Sequence, residues 1–110
     1  MAYDEQTAAR VRQALAGTPA LTEQRMMGAL VFLVHGNMCC GVTGSALMVR
    51  VGPEAREGAL REPHVRPMEI GGGRQPRGFV CVDPPGLASK SALKAWITRG
   101  LAFAKTLPAK

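Results

Sequence analysis

The chain has 110 residues, 46% of them hydrophobic, which is the length of one domain and enough apolar material for one sizeable core. Its net charge is +6, with four basic groups balanced by four acidic ones up to residue 55 and ten basic against four acidic beyond it. The longest apolar run, Met26 to Val34, falls far short of the roughly 20 residues that cross a bilayer, and the charged N-terminus has no secretory pattern, so a cytoplasmic protein without membrane spans is expected.

Asp4 is placed to cap a first helix over about residues 4 to 16, with Glu5 in its first turn and Tyr3 and Ala8 spaced as a hydrophobic staple. Ala8, Val11 and Leu15 share one face, and Gly17 with Pro19 ends the helix. Residues 18 to 24 read as a connector. Three apolar runs follow, Met26 to Val34, Met38 to Val42 and Leu47 to Val51, separated by His35-Gly36-Asn37 and Thr43-Gly44-Ser45. Connections that short join antiparallel neighbours, so the runs predict a three-stranded meander. Nearly every residue from Leu30 to Val34 is apolar, as in a strand covered on both faces or lying at a subunit contact, and Gly28 marks a bulge or a close backbone approach. In the third run Leu47, Val49 and Val51 share one face while Met48 and Arg50 share the other.

Gly52-Pro53 opens a short helix to about residue 61, halted by Pro63. Val65 to Ile70 and Gly78 to Val82 predict a strand pair joined by Gly71-Gly72-Gly73-Arg74-Gln75-Pro76-Arg77. The spacing of those glycines fits no phosphate-binding motif, and a strand rather than a helix follows, so the segment reads as a hairpin loop. Ser89 or Ser91 can cap a last helix in which Leu93, Trp96, Ile97, Leu101 and Ala104 form the apolar stripe, with Trp96 the largest contributor to the core.

The side chains that carry chemistry are few. The six methionines read as filler for irregular gaps in the core rather than as a binding surface. Cys39, Cys40 and Cys81 read as reduced thiols; adjacent strand residues point to opposite faces, so Cys39 and Cys40 are not expected to meet. Two distant histidines, His35 and His64, and no C-x-x-C pair supply no metal site, and no residue set forms a catalytic constellation or calls for a cofactor. Arg50 stands mid-strand among valines, either snorkelling, ion-paired or contacting an anion, and with Arg66, Arg74 and Arg77 it forms the candidate surface for an anionic partner.

The order helix, three strands, helix, two strands, helix predicts a single α+β domain over residues 1–110: two layers, an antiparallel sheet of about five strands, and helices mainly on one face. Met26-Met27-Gly28-Ala29-Leu30, Gly36-Asn37-Met38-Cys39-Cys40-Gly41-Val42, Met48-Val49-Arg50-Val51-Gly52, Arg66-Pro67-Met68, Gly78-Phe79-Val80 and the helix from Trp96 to Leu107 together resemble the TfoX N-terminal domain family. This is the amino-terminal module of the Sxy/TfoX regulators of bacterial DNA competence. The family's M-F-G-G start stands here as Met26-Met27-Gly28-Ala29, losing an aromatic and a glycine. The resemblance implies the same two-layer fold. Full-length regulators add a C-terminal helical domain and act as transcriptional co-activators with the cyclic-AMP receptor protein, so the competence role does not transfer directly to the first domain alone.

The expectation is a non-enzymatic regulatory or interaction module, binding an acidic protein partner or a component of the transcription machinery. The alternatives are direct nucleic-acid binding through the basic second half and, less favoured, a thiol-dependent enzyme. An open sheet also leaves edges to protect, and a homodimer is one way to protect them.

Overall fold

Asp4 caps the first helix as its position predicts, its carboxylate accepting from the Thr7 backbone N–H at 2.9 Å, and α1 runs Glu5–Leu15. The computed structural model describes residues 3–26, 28–69 and 73–110. Val11, Leu15 and Ala8 of α1 are fully buried, placing the helix against the sheet.

Residues 21–24, expected in a connector, are part of a strand, and Met26, expected at the start of the next run, ends that strand. This is β1 (Leu21–Met26), which pairs antiparallel with β2 (Ala29–Val34), so the meander has four strands, continued by β3 (Asn37–Thr43) and β4 (Ala46–Arg50). Past Leu21, β1 is exposed throughout. An outer strand needs only its backbone to pair, and a polar sequence suffices for that. Gly28, at φ 82°, belongs to the reversal between β1 and β2 rather than to a bulge. His35 and Gly36 turn the next hairpin at φ 50° and 80°, the two left-handed residues a tight hairpin connection requires. Asn37 is not part of that turn: it lies buried at the start of β3 and donates from Nδ2 to the Pro108 carbonyl at 2.8 Å, tying down the C-terminal tail.

After β4 come α2 (Pro53–Leu60), β5 (Val65–Pro67), β6 (Phe79–Val82), a 3-10 turn (Pro84–Leu87) and α3 (Lys90–Ala104), which Ser89 caps by accepting from the Ala92 N–H. The last strands are shorter than predicted, and the expected residues Ile70, Gly71 and Gly72 lie outside the described ones. The sheet is six-stranded and antiparallel, in the order β1-β2-β3-β4-β6-β5. One face of it carries the helices. Leu30, Phe32, Val34, Val42, Leu47, Val49, Val80 and Val82 point into this layer and meet Val11, Leu15, Leu93, Trp96 and Ile97. Fully burying one such large apolar side chain stabilises the fold by roughly 1.5–3 kcal/mol.

The expectation for the adjacent cysteines fails for a geometric reason. Leu33 pairs with Met38 but Phe32 pairs with Cys40, so Cys39 is an extra residue, a β-bulge. The bulge slips the alternation by one, and both thiols enter the helix-side core with their sulfurs 3.7 Å apart. Gly100 of α3 lies over this bulge, where a β-carbon would overlap the Cys39 carbonyl oxygen and sit 3.3 Å from its carbon. Glycine is required there because two backbones touch.

Candidate functional site

The sheet's second face carries no helix among the described residues, yet it is apolar. Ala29 and Val31 of β2, Met48 of β4 and Cys81 of β6 form a separate buried cluster, with Leu33, Met38 and Met68 packed on it. The period of two produces this directly: the uninterrupted apolar run of β2 sends Leu30, Phe32 and Val34 to one side and Ala29, Val31 and Leu33 to the other. Pro67, Met68 and Pro76 raise a wall along one flank, and the result is an open groove of about 950 Å³ whose floor includes Val31, Met48 and Cys81. A volume of that size suits a peptide segment or a small ligand.

The methionines are sorted between the two faces. Met26, Met38, Met48 and Met68, which are all of the described methionines, line this groove, and none belongs to the helix-side core. Met48 is buried in the second cluster with Met38 and Met68 packed on it, so these methionines do fill a core, but it is the small one on the groove face. A thioether side chain with three rotatable bonds adapts its shape to what it touches, and surfaces rich in it accept apolar partners. Met26 at the lip is 44% exposed, the exposed large hydrophobic of the described chain.

The four candidate arginines do not form one cluster. Arg50 ends β4 with its guanidinium carbon 5.4 Å from the Phe79 ring centre and 5.5 Å from that of Phe103, and it donates to the Met38 carbonyl at 3.4 Å. No carboxylate pairs with it among the described residues. It clamps α3 to the end of the sheet through cation–π contact, which is snorkelling with aromatic partners rather than ion pairing. Arg66 of β5 lines the groove and holds Asp83 at 2.9 Å, which raises the guanidinium's already high pKa further. A guanidinium has five N–H donors, so Arg66 can hold Asp83 and still donate to a ligand. Arg74 and Arg77 are exposed on the loop that leads into β6, and Glu69 lies on the groove wall.

All three thiols are buried. Cys81 faces the groove floor, and its removal from water pushes its pKa up. In the bulge pair the shared hydrogen bond lowers the pKa of Cys39 and raises that of Cys40, with burial adding to the rise. No imidazole joins them: His35 and His64 are exposed in turns, at φ 50° and 66°. Among the described residues no group of three or more potential metal ligands occurs, and no helix is long and apolar enough to cross a membrane. No Tyr, Phe or Trp ring is exposed to stack a base, since Tyr3, Phe32 and Trp96 are buried and Phe79 and Phe103 half-buried.

Compared with known proteins, the chain matches the family model of the TfoX N-terminal domain over residues 13–104, a span that contains all six strands. No curated protein and no solved structure matches it.

Proposed function

The chain belongs to the TfoX N-terminal domain family, and from that premise we propose that it is a non-enzymatic regulatory module that docks a protein partner in the methionine-lined groove. The observation that carries this is the sorting of the methionines: among the described residues the helix-side core is built without them, while the opposite face collects them around an open, apolar floor. An unguarded apolar depression of this size on a small domain is the kind of surface that binds another chain. Arg66 on the groove can donate to a ligand while it holds Asp83, and Arg74 and Arg77 are exposed on the loop that supplies Pro76 to the wall, so the partner segment would be apolar with acidic residues beside it. A regulatory protein of the transcription machinery is the proposed source of such a segment.

Selection from a displayed peptide library tests this. Peptides enriched on the intact protein should combine apolar residues with flanking Asp or Glu, and Met26→Glu or Met68→Glu should abolish their binding while leaving the thermal unfolding curve in place. Enrichment of peptides indifferent to both substitutions would overturn the assignment. Direct nucleic-acid binding through the basic second half is the competing reading, and it predicts affinity for an oligonucleotide that falls steeply with salt and ignores both changes.

A further inference from the structure

The two edges of the sheet are built differently. On one side β5 is only three residues long and includes Pro67, which has no N–H to offer, so that edge is blunted. On the other side β1 is six residues long, contains no proline, and keeps an unbroken register from Leu21 opposite Val34 to Met26 opposite Ala29. The Ala20 carbonyl accepts from the His35 N–H at 3.1 Å, and Met26 pairs with Ala29 at the hairpin end, so even-numbered residues turn their backbone groups toward β2. The N–H and C=O groups of Leu21, Glu23 and Arg25 therefore point outward along a free edge.

We propose that this edge binds the same edge of a second copy of the chain, joining two sheets antiparallel across a two-fold axis at Gln24. Charge selects both the occupant and the register. With the axis at Gln24, Glu23 of each copy stands opposite Arg25 of the other, and both are residues whose backbone groups face outward. Moving the axis to Glu23 sets glutamate against glutamate, and moving it to Arg25 sets arginine against arginine, both unfavourable for directly opposed side chains. The edge is thus complementary to itself in one register. Glu23 already receives two hydrogen bonds from Arg12 of α1, at 2.8 and 3.0 Å, and a carboxylate has further acceptor sites for the second copy's arginine. On the groove side the same register sets exposed Met26 against Thr22 of the other copy, withdrawing the lip methionine from water. A symmetric contact of this kind is closed, so it stops at two chains.

The test is the mass of the intact chain in solution by sedimentation equilibrium across the micromolar range. The expected mass approaches twice 11.7 kDa as concentration rises. Glu23→Arg and Arg25→Glu should each weaken association by roughly tenfold or more, since each places like charges opposite one another twice in the dimer. The doubly exchanged chain, Glu23→Arg with Arg25→Glu, made together with Arg12→Glu so that position 23 keeps its ion pair with α1, should dimerise again, because the opposed charges are complementary once more. All three positions are exposed, and circular dichroism verifies that the variants fold. A wild-type chain that stays at 11.7 kDa, single variants that associate as well as the wild type, or a doubly exchanged chain that does not recover would each overturn the proposal.

Discussion

Replacing Gly100 with alanine isolates the contact on which the helical layer is seated. In an exposed helix interior this change would stabilise the protein by about 1 kcal/mol through helix propensity. Here the new methyl group would overlap the Cys39 carbonyl oxygen and lie 3.4 Å from Val49 Cγ1, and the first of these neighbours is backbone that no rotamer change can move aside. α3 would have to retreat from β3, loosening Trp96 and Ile97 alongside it. Overpacking of that kind costs about 3 kcal/mol at its upper range, and subtracting the propensity gain leaves a net loss of about 2 kcal/mol. For a domain of this length that lowers the melting temperature by roughly 8 °C. Gly58→Ala on α2 is the matched control: nothing lies within 4 Å of its would-be β-carbon, so it should leave stability unchanged or raise it by up to about 1 kcal/mol. Thermal and guanidinium unfolding followed by circular dichroism reads both. If Gly100→Ala proves neutral or stabilising, the close approach of α3 to the bulge is wrong.

Arg50→Ala should cost about 1–2 kcal/mol by removing two cation–π contacts and the packing of the side chain's stem, whereas Arg50→Met should recover part of that loss; equal unfolding midpoints for wild type and alanine variant would contradict the clamp. Thiol titration of the native protein with an aromatic disulfide reagent should be slow at all three cysteines and complete only in denaturant; because Cys81 lines the groove, rapid reaction of two or more equivalents is the result that would show that a bulge thiol is not enclosed. Asp4 has its pKa lowered from 3.8 by the hydrogen bonds from Thr7, so its capping contribution is complete above that ordinary value and disappears as pH falls through the lower folded-state value. Asp4→Ala should accordingly lower the melting temperature at neutral pH and narrow its gap to wild type in strong acid; a gap that widens there would refute the cap.

What was legible in the sequence was whatever rests on local chemistry. The Asp4 and Ser89 caps, Pro53 at a helix start, the continuous apolar run of β2 and the period-two run of β4 are each decided within a few residues, and the α+β order followed from them. The sheet's outer strand was hidden because β1 gains its place by backbone pairing with β2, and only Leu21 of its side chains is more than marginally covered. The convergence of Cys39 and Cys40 was hidden too, since a bulge is a mismatch between two strands and neither strand alone encodes it. For the groove, half the signal was present: Met48 falls opposite in phase to Leu47 and Val49, and β2 is apolar on both faces. Its other half, the wall of Pro67, Met68 and Pro76, depends on how the segment after β5 lies across the sheet. Arg66 was visible as a charge, but its engagement with Asp83 depends on the β5–β6 register, which joins residues seventeen positions apart.

Selective carbon-13 labelling of the methionine methyl groups puts probes directly on the proposed docking face, because Met26, Met38, Met48 and Met68 all line it and the helix-side core holds none among the described residues. On titration with an apolar, acid-flanked peptide obtained by selection, these four signals should move together and saturate, while the indole signal of Trp96 on the helix side stays in place. Binding that shifts Trp96 and leaves the four methionine methyls unchanged would contradict the assignment of this face as the site of docking.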